Sequence, residues 1–371
     1  MSGIRYKELG TETFFGELVY ERAVRPGHFL RELERVVDWS VFTNQLVRLY
    51  RGKGCVGRPP YNPAVMLKML MLAYLYGLSE RATEAYVNDS ISGKWFLGLA
   101  VDEAAPDHST LTAFKRRIIE GGGEKRLQEL LEEITRQALA GGVEFGTIQV
   151  VDSTHTEADV NVRKDDGRRK REGKGPRDGG AAWGVKGKQT VKDESGQKVR
   201  VPKYFYGYKA HVSMNAQAGL ITSVVVTGGN AHDGKQFPKL LERDQEQGLP
   251  LDIYSADRAY DDTDNHYRLQ ESGLRSSLTL NKYRTQKKDR NKGVWERLLA
   301  SESYQAGQGE RYKIERKFGE AKDHHGLRRC RYVGRVRYAM QAYLTAMVLN
   351  LKRMVWVLTG TSFGGRATAS G

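Results

Sequence analysis

The chain has 371 residues, of which 39% are hydrophobic, so it is long enough for two or three domains with buried cores. No stretch reaches about 18 uncharged apolar residues, and the first residues lack an apolar segment behind a basic start. We therefore expect neither a membrane span nor a signal peptide, and predict a cytoplasmic protein. The two cysteines, Cys55 and Cys330, lack the spacing of metal ligands, which disfavours a disulfide framework and a zinc module.

The net charge of +15 is concentrated in two stretches. Residues 163–203 contain 14 Lys and Arg against 6 Asp and Glu, and residues 311–337 contain 10 against 3. Residues 1–150 and 204–310 are each neutral. Focused positive charge attracts polyanions, of which nucleic acid is the commonest in the cytoplasm. Two solvated basic loops are the alternative interpretation.

The first 140 residues are predicted to be helical. Asn62 caps one helix, Ser79 caps a second, and Ser109 or Thr110 caps a third. Three consecutive glycines then precede a further amphipathic helix, "EKRLQELLEEITRQAL". Short helices with small turns are compatible with a helix-turn-helix that reads DNA, and equally with a plain helical bundle.

The pattern changes from helical to extended at "GTIQVVD", a β-rich run that ends in Asp152. We place a domain boundary near Gly141 and Gly142. The following residues 163–203 are rich in glycine and charge and poor in apolar side chains. This composition predicts a long, mobile insertion that forms no core.

Strands and helices alternate in the rest of the chain. Two apolar strands, "YFYGYKAHVSMNA" and "LITSVVVTGG", are joined by a short turn and predict a hairpin. They are followed by "DGKQFPKLLERDQ", "LDIYSAD", "DTDNHYRLQESG", "RSSLTLN" and a helix within "GERYKIERKFGEAKDHH". The order β, hairpin, α, β, α, β, α predicts an α/β domain. The apolar stretch from Tyr338 to Leu358 is interrupted by polar residues and predicts a buried amphipathic helix.

Asp152 and Asp257 each end a predicted strand, and several glutamates lie on the last helix of this series. Strand ends on one side of a mixed sheet converge, and carboxylates gathered in a low dielectric need cations to remain ionised. Two Mg²⁺ ions roughly 4 Å apart satisfy this need and support in-line phosphoryl transfer. The sequence therefore predicts a two-metal site at these strand ends.

Four stretches in this order, "VDSTHTEA", "YGYKAH", "SADRAYDD" and "ERKFGEAKDHHGLRR", resemble the DDE transposases of bacterial insertion sequences. The resemblance covers roughly residues 145–355, and "PDHSTLTAFKRRI" with the helices before it resembles the N-terminal helical domain of that family. The family's last helix carries Tyr, two residues, Arg, three residues, Glu, six residues and Lys. Arg311, Glu315 and Lys322 fit this spacing, while Gln308 occupies the Tyr position.

The resemblance implies a ribonuclease H-like mixed-sheet catalytic domain after an all-helical N-terminal domain. It implies a DNA transposase that cleaves at terminal inverted repeats and joins the freed 3′-hydroxyls to target DNA. Asp152, Asp257 and Glu315 are implied as catalytic residues and ligands of two Mg²⁺ or Mn²⁺ ions. The implied partners are double-stranded DNA and further copies of the chain, at least a dimer on DNA, and the implied location is the nucleoid. The expected divisions are 1–141, a helical domain that binds DNA ends; 142–358, the catalytic domain with its basic insertion at about 163–203; and 359–371, a flexible tail.

Helical geometry supports the choice of glutamate. At about 100° per residue, Arg311, Glu315 and Lys322 lie within about 40° of one another, beside an apolar stripe that begins at Ile314. Glu320 points to the opposite side. We therefore expect Glu315 to be the metal ligand and to pack beside the core. The basic residues expected to contact DNA phosphates are Arg311, Lys322, Arg328, Arg329, Arg331, Arg168, Arg169, Lys170 and Arg171.

Two other functions remain as alternatives. His325 and Arg328 form an HxxR pattern that is followed by tyrosines, as in tyrosine-type recombinases. A domesticated, non-catalytic DNA-binding protein of the same fold is the second alternative. Lys209 and His211 alternate along a predicted strand and are compatible with a site or with a solvated strand face.

Overall fold

The computed structural model describes residues 6–10, 14–50, 59–281 and 292–364. Cys55 and the end of the predicted tail, residues 365–371, lie outside these residues. The chain divides into two compact units. Unit 1 comprises Met1–Val143 with Leu344–Gly371, and unit 2 comprises Glu144–Tyr343.

Unit 1 is helical, as predicted. The predicted caps of two helices are confirmed, because the Asn62 side chain accepts the backbone N–H of Ala64 and the Ser79 side chain accepts that of Ala82. The predicted cap at Ser109 or Thr110 is wrong. The helix begins at His108 and its cap is Asp107, whose carboxylate accepts the Ser109 N–H at 2.6 Å. The helices are α1 (Phe14–Ala23), α2 (Phe29–Val36), α3 (Trp39–Leu46), α4 (Pro63–Leu75), α5 (Glu80–Asp89), α6 (Ile91–Leu97), α7 (His108–Glu120) and α8 (Glu124–Ala140).

Unit 2 contains a mixed sheet in which the described strands run in the order β2-β3-β1-β5-β6, with β4 also paired to β3. β1 pairs parallel with β5, and β5 pairs parallel with β6, while the remaining pairs are antiparallel. The predicted hairpin is confirmed as β3 and β4. The strands are β1 (Ile148–Glu157), β2 (Ala182–Lys192), β3 (Lys198–Asn215), β4 (Ile221–Gly228), β5 (Ile253–Ala256) and β6 (Arg275–Leu278).

The basic insertion, predicted as a long, mobile segment without a core, contains regular secondary structure. It begins with a helix, α9 (Val162–Glu172), and continues into a long β2–β3 hairpin in which Val191 lies opposite Val199. The carboxylate of Asp193 accepts the backbone N–H groups of Ser195 and Gln197 and so closes the turn. The many charged residues of the segment make its β-branched cross-strand pairs, such as Val191 with Val199, hard to recognise in the sequence.

Helices pack against the sheet and form its core. Val151, Phe237, Tyr254 and Leu278 belong to one fully buried cluster. The apolar stretch near the C-terminus forms a long, largely buried helix, as predicted. Within the described residues, no helix combines the length and apolar character needed to cross a membrane. The remaining helices are α10 (Phe237–Glu246), α11 (Thr263–Glu271), α12 (Lys292–Ala300), α13 (Glu302–Glu310), α14 (Tyr312–His324) and α15 (Arg335–Thr359).

The start of the predicted tail is packed within unit 1. The ring of Phe363 lies 5.0 Å from the ring of Phe29 and 5.2 Å from that of Tyr76, centroid to centroid. Lys352 of α15 lies over the same ring, with its Nζ 5.2 Å from the centroid. These contacts hold the chain just beyond the end of α15 against the helices of the unit.

Candidate active site

The parallel pairing of β1 with β5 brings the two predicted aspartates together. The prediction that Asp152 ends its strand is wrong, because β1 continues to Glu157 while paired with β3. In the parallel register, Val151 lies beside Ala256, so the next residues along the two strands, Asp152 and Asp257, follow at adjacent positions. Both side chains are half-buried. Asp152 lies where β1 stops pairing with β5, and Asp257 directly follows β5, so the two aspartates mark one acidic edge of the parallel part of the sheet.

Burial and neighbouring acidic charge raise the pKa of both carboxyl groups. Burial, with a smaller contribution from the neighbouring charge of Asp257, raises the pKa of Asp152 from 3.8 to about 7, although the N–H donated by Ser153 opposes this shift. Burial also raises the pKa of Asp257, whose carboxylate accepts the N–H of Ala259 at 2.9 Å. The Arg311 guanidinium favours ionisation of both groups. Paired, partly desolvated carboxylates of this kind fit a divalent cation, which would replace water as their partner.

Arg311 lies at the junction between α13 and α14. The preceding helix is fixed to the sheet by Gln308, whose Nε2 donates to the Ser277 carbonyl and whose Oε1 accepts from the Thr279 hydroxyl at 3.0 Å. Arg311 donates to the same hydroxyl at 3.4 Å. Gln308, at the position where the family pattern has Tyr, therefore ties this helix junction to β6.

Glu315 lies one turn after Arg311 on α14. The apolar stripe predicted beside it is confirmed, because Ile314, Phe318 and Ala321 are buried. The expectation that Glu315 packs beside the core is wrong, since its side chain is exposed. Ile314, Phe318 and Ala321 take up the buried surface of α14, and Glu315 beside them faces solvent, although Arg311 and Lys322 on the same side are half-buried. Glu320 is half-buried, with an oxygen 4.0 Å from Nε2 of His325.

Lys322 completes the cationic side of the site. It is half-buried, and burial together with the nearby cations Arg328 and Lys186 lowers the pKa of its ammonium, while Asp152 raises it. Arg311 and Lys322 thus both lie within electrostatic range of Asp152. A cation that is partly desolvated beside a carboxylate is suited to receive the negative charge of a phosphate.

The other predicted DNA-contacting residues of this stretch lie just beyond α14. Arg328 is exposed and pairs with Asp323, and Arg329 is exposed and donates to Asp159 at 3.2 Å. Arg331 is half-buried, and its backbone N–H donates to the Gln341 side chain. This arginine cluster thus consists of two exposed side chains and one partly covered side chain.

The predicted cations of the insertion lie on α9. Arg168 pairs with Asp165 at 2.9 Å and Arg169 with Asp166 at 3.5 Å, so part of their charge is already balanced locally. Lys170 and Arg171 are exposed.

Sequence reasoning missed one acidic residue near the site. Asp233 begins a short 3-10 helix after β4, and its charge raises the pKa of both Asp152 and Asp257. Its partner is Lys209 on β3, at 2.8 Å. The "HDG" that follows the strand "LITSVVVTGG" was the available signal, since a carboxylate after a strand can belong to the same sheet edge.

A separate acidic group lies in unit 1. Among the described residues, Glu84, Asp107 and His108 form the one set of three metal-ligand side chains whose ligand atoms lie within 4.8 Å of one another. Hydrogen bonds explain this proximity, because the Glu84 carboxylate contacts both the backbone N–H and Nδ1 of His108 at the start of α7. Asp152, Asp257 and Glu315 are not clustered this tightly.

Comparison with known families decides the identity of the chain. The family model "Transposase DDE domain" matches residues 144–351, more than half of the chain. The chain belongs to the DDE transposases. The model "Transposase domain (DUF772)" matches residues 18–117 of the same transposase. The family consists of metal-dependent enzymes that cleave DNA and transfer strands, and its ribonuclease H-like fold agrees with the sheet order β4-β3-β1-β5-β6 in unit 2.

Two solved structures are similar at low identity. A piggyBac transposase synaptic complex with hairpin DNA is 10% identical, with 95% of this chain and 77% of that chain covered and a TM-score of 0.38. A Mos1 transposase paired-end complex with the left transposon end is 11% identical, with 74% and 82% covered and a TM-score of 0.19. At TM-scores this low, the superpositions do not establish corresponding residues.

Burial argues against the tyrosine-recombinase alternative. Tyr338 and Tyr343 are both 0% exposed. The hydroxyl of Tyr338 lies 2.9 Å from that of Thr156, and the hydroxyl of Tyr343 donates to the Val224 carbonyl. Side chains enclosed in this way cannot attack a DNA phosphate. Two of the tyrosines after the HxxR pattern are therefore packed in the core.

Proposed function

We propose that this transposase binds the terminal inverted repeats of an insertion sequence, cleaves its ends and joins them to target DNA. Water attacks a phosphodiester at each end, and the 3′-oxygen leaves as a free hydroxyl. That hydroxyl then attacks a target phosphodiester, so that one bond forms as another breaks. No covalent bond between protein and DNA is needed at either step.

The observation that carries this proposal is the parallel register that makes Asp152 and Asp257 neighbours within reach of Arg311. We assign both aspartates and Glu315 as ligands of two Mg²⁺ or Mn²⁺ ions. Bound cations would lower the pKa of an attacking water and stabilise the leaving oxygen. The two aspartates fit this role by their burial and their adjacent positions. Glu315, exposed one turn beyond Arg311, is assigned by its spacing from Arg311 and Lys322 in the family pattern.

The chain's own cations hold the DNA in this proposal. Arg311 and Lys322 position phosphates beside the aspartates, since both lie within electrostatic range of Asp152. Arg328, Arg329 and Arg331 extend this surface along the DNA backbone. The exposed cations of α9 add affinity without reading bases, because contacts to phosphates carry no sequence information.

Recognition of the terminal repeat is assigned to residues 1–141. A catalytic edge that accepts many target sequences is poorly suited to reading one sequence, and unit 1 is a separate helical body. Two DNA ends must be brought together, so at least a dimer forms on DNA, and the protein acts at the nucleoid. A single chain that joins residues 1–143 to 344–371, the two parts of unit 1, is expected to shift a terminal-repeat duplex in preference to a scrambled one. Discrimination by residues 144–343 alone would assign recognition to the other unit.

A strand-cleavage assay tests the proposal. The full chain is incubated with an end-labelled terminal-repeat duplex in Mg²⁺ or Mn²⁺, and in EDTA. We expect nicking at the element end that requires the metal and leaves no label on the protein. A protein-linked product that forms in EDTA would reject this chemistry.

A further inference from the structure

An ion pair beside the catalytic edge has no part in the proposed site so far. Lys209 of β3 donates from Nζ to Oδ1 of Asp233 at 2.8 Å, and also to the Ala231 carbonyl at 3.0 Å. Each side chain of the pair is 16% exposed. The pair is therefore sheltered but still open to solvent along one side.

The backbone around Asp233 is fixed against the turn that follows Asp257. The Asn265 side chain donates to the carbonyls of Gly234 at 3.1 Å and Tyr260 at 3.0 Å, and so clamps the two segments together. A Cβ atom at Gly234 would lie 2.8 Å from the Ala259 carbonyl oxygen, so this close approach requires glycine. These contacts hold the backbone at Asp233 next to the turn that follows Asp257.

The buried ring of His211 lies on another side of Asp233. It is 0% exposed, its Nε2 lies 2.9 Å from the Thr227 hydroxyl, and its Nδ1 lies 3.7 Å from Asp233 Oδ1. Nδ1 is buried without a hydrogen-bond partner. Burial lowers the pKa of His211 to about 4, so the ring is neutral near pH 7 and does not compete with Lys209 for the carboxylate charge.

The donor count of Lys209 leaves one hydrogen available. An ammonium has three N–H donors, and Asp233 and Ala231 accept two of them. In the register of β1 and β3, Lys209 lies opposite His155, three residues beyond Asp152 on β1, so its strand position is next to the catalytic edge. A phosphate oxygen approaching that edge is a suitable acceptor for the third donor.

We propose that Lys209 contacts a DNA phosphate next to the scissile bond and that Asp233 is the positioning residue that holds its ammonium there. This inference rests on the proposed function, because it takes DNA as the substrate of the same edge. Asp233 is thus a fourth acidic residue of the site, and it binds lysine rather than metal. His211 and the clamp at Gly234 keep the carboxylate in place.

The test is a double-mutant cycle between Lys209 and single phosphates. Terminal-repeat duplexes carry one neutral methylphosphonate at a time around the scissile bond, and dissociation constants are measured in Ca²⁺ for the parent and for Lys209→Met. We expect one position at which the methylphosphonate weakens DNA binding by the parent about tenfold but hardly changes DNA binding by Lys209→Met. Lys209→Arg should keep this coupling. Asp233→Asn should reduce it without weakening overall affinity, because the variant removes a negative charge.

The ion pair between Arg275 and Asp252 provides the matched control. It lies at the starts of β5 and β6, whereas Asp257 follows the end of β5. Arg275→Met should leave the parent's response at every phosphate unchanged. If Lys209→Met weakens all the duplexes equally, Lys209 supports the fold and does not contact phosphate. Because the cycle reads affinity, a protein that shows the coupling but no metal-dependent cleavage would reject the proposed function and retain this inference. Absence of DNA binding by the parent would reject both.

Discussion

The two basic stretches of this transposase carry almost the same excess charge, +8 in residues 163–203 and +7 in residues 311–337, but they place it differently. In the second stretch, Arg311 and the half-buried Lys322 lie within electrostatic range of Asp152. In the first, the cations lie on α9 and on a hairpin that is largely exposed.

This difference shows that position, more than amount of charge, determines what a basic stretch does. A cation beside partly desolvated carboxylates acts in a low dielectric and is little screened by salt. An exposed cation is screened, and its interaction with DNA depends strongly on salt. We therefore expect the second stretch to control the rate of cleavage and the first to control affinity.

The largest expected effect comes from removing the carboxylates that the second stretch faces. Asp152→Asn and Asp257→Asn should each lower strand cleavage at least about a thousandfold, a loss of about 4 kcal/mol of transition-state stabilisation, with DNA binding retained. Single-turnover cleavage and a gel-shift titration measure the two properties. A variant that loses DNA binding in parallel with cleavage would contradict the separation between the two stretches.

Lys322→Met tests whether a cation near the aspartates contributes more to cleavage than an exposed cation on α14. We expect cleavage to fall about a hundredfold with little change in affinity, as for loss of a donor to developing charge. The control is Arg316→Met, because Arg316 is exposed and stacks on Tyr312 at 4.9 Å. This control should remain within about threefold of the parent. Equal losses for both variants would remove the distinction made for Lys322.

The raised pKa of Asp152 predicts a pH effect on stability. With a folded pKa near 7 against an ordinary 3.8, the folded protein binds more protons than the unfolded chain between these values. The free energy of unfolding therefore falls as pH rises through this window. Asp152→Asn removes this penalty, so in EDTA at pH 8 it should stabilise the protein by up to about 4 kcal/mol. Chemical denaturation at pH 5 and pH 8 measures the effect, and a variant that is less stable than the parent at pH 8 would contradict it.

The smallest effect is expected in the first stretch. Replacing Arg168, Arg169, Lys170 and Arg171 with Ala should weaken binding to terminal-repeat and random DNA alike. Since two of these residues already pair with Asp165 and Asp166, we expect the slope of log K against log salt to decrease by about two units rather than four. An unchanged slope would exclude α9 from the DNA interface.

The catalytic edge could be predicted because its signals are local. The apolar runs that lead to Asp152 and Asp257 are visible in the sequence, and the parallel pairing of β1 with β5 makes the two aspartates neighbours, although β1 continues beyond Asp152. The apolar stripe of α14 followed from helical periodicity. Because each of these features depends on a few adjacent residues, the sequence was sufficient to predict them.

The features that were missed depend on residues distant in the sequence. Asp233 is recognised only through Lys209, 24 residues earlier, and through the clamp at Gly234. The hairpin of the insertion depends on cross-strand pairs that its charged composition conceals. The exposure of Glu315 depends on how much of α14 the sheet covers, which a helical wheel does not show.

The most direct test of the account compares Glu315→Gln with Glu320→Gln, two like changes five positions apart on α14. Cleavage of a labelled terminal-repeat duplex in Mg²⁺ is measured for both variants and the parent. We predict that Glu315→Gln loses at least about a thousandfold in rate with DNA binding retained, because it removes a metal-binding charge. Glu320→Gln should stay within about threefold, since a partly exposed helix carboxylate contributes less than about 1 kcal/mol. Loss of cleavage in Glu320→Gln with activity retained in Glu315→Gln would contradict the assignment of the third metal ligand.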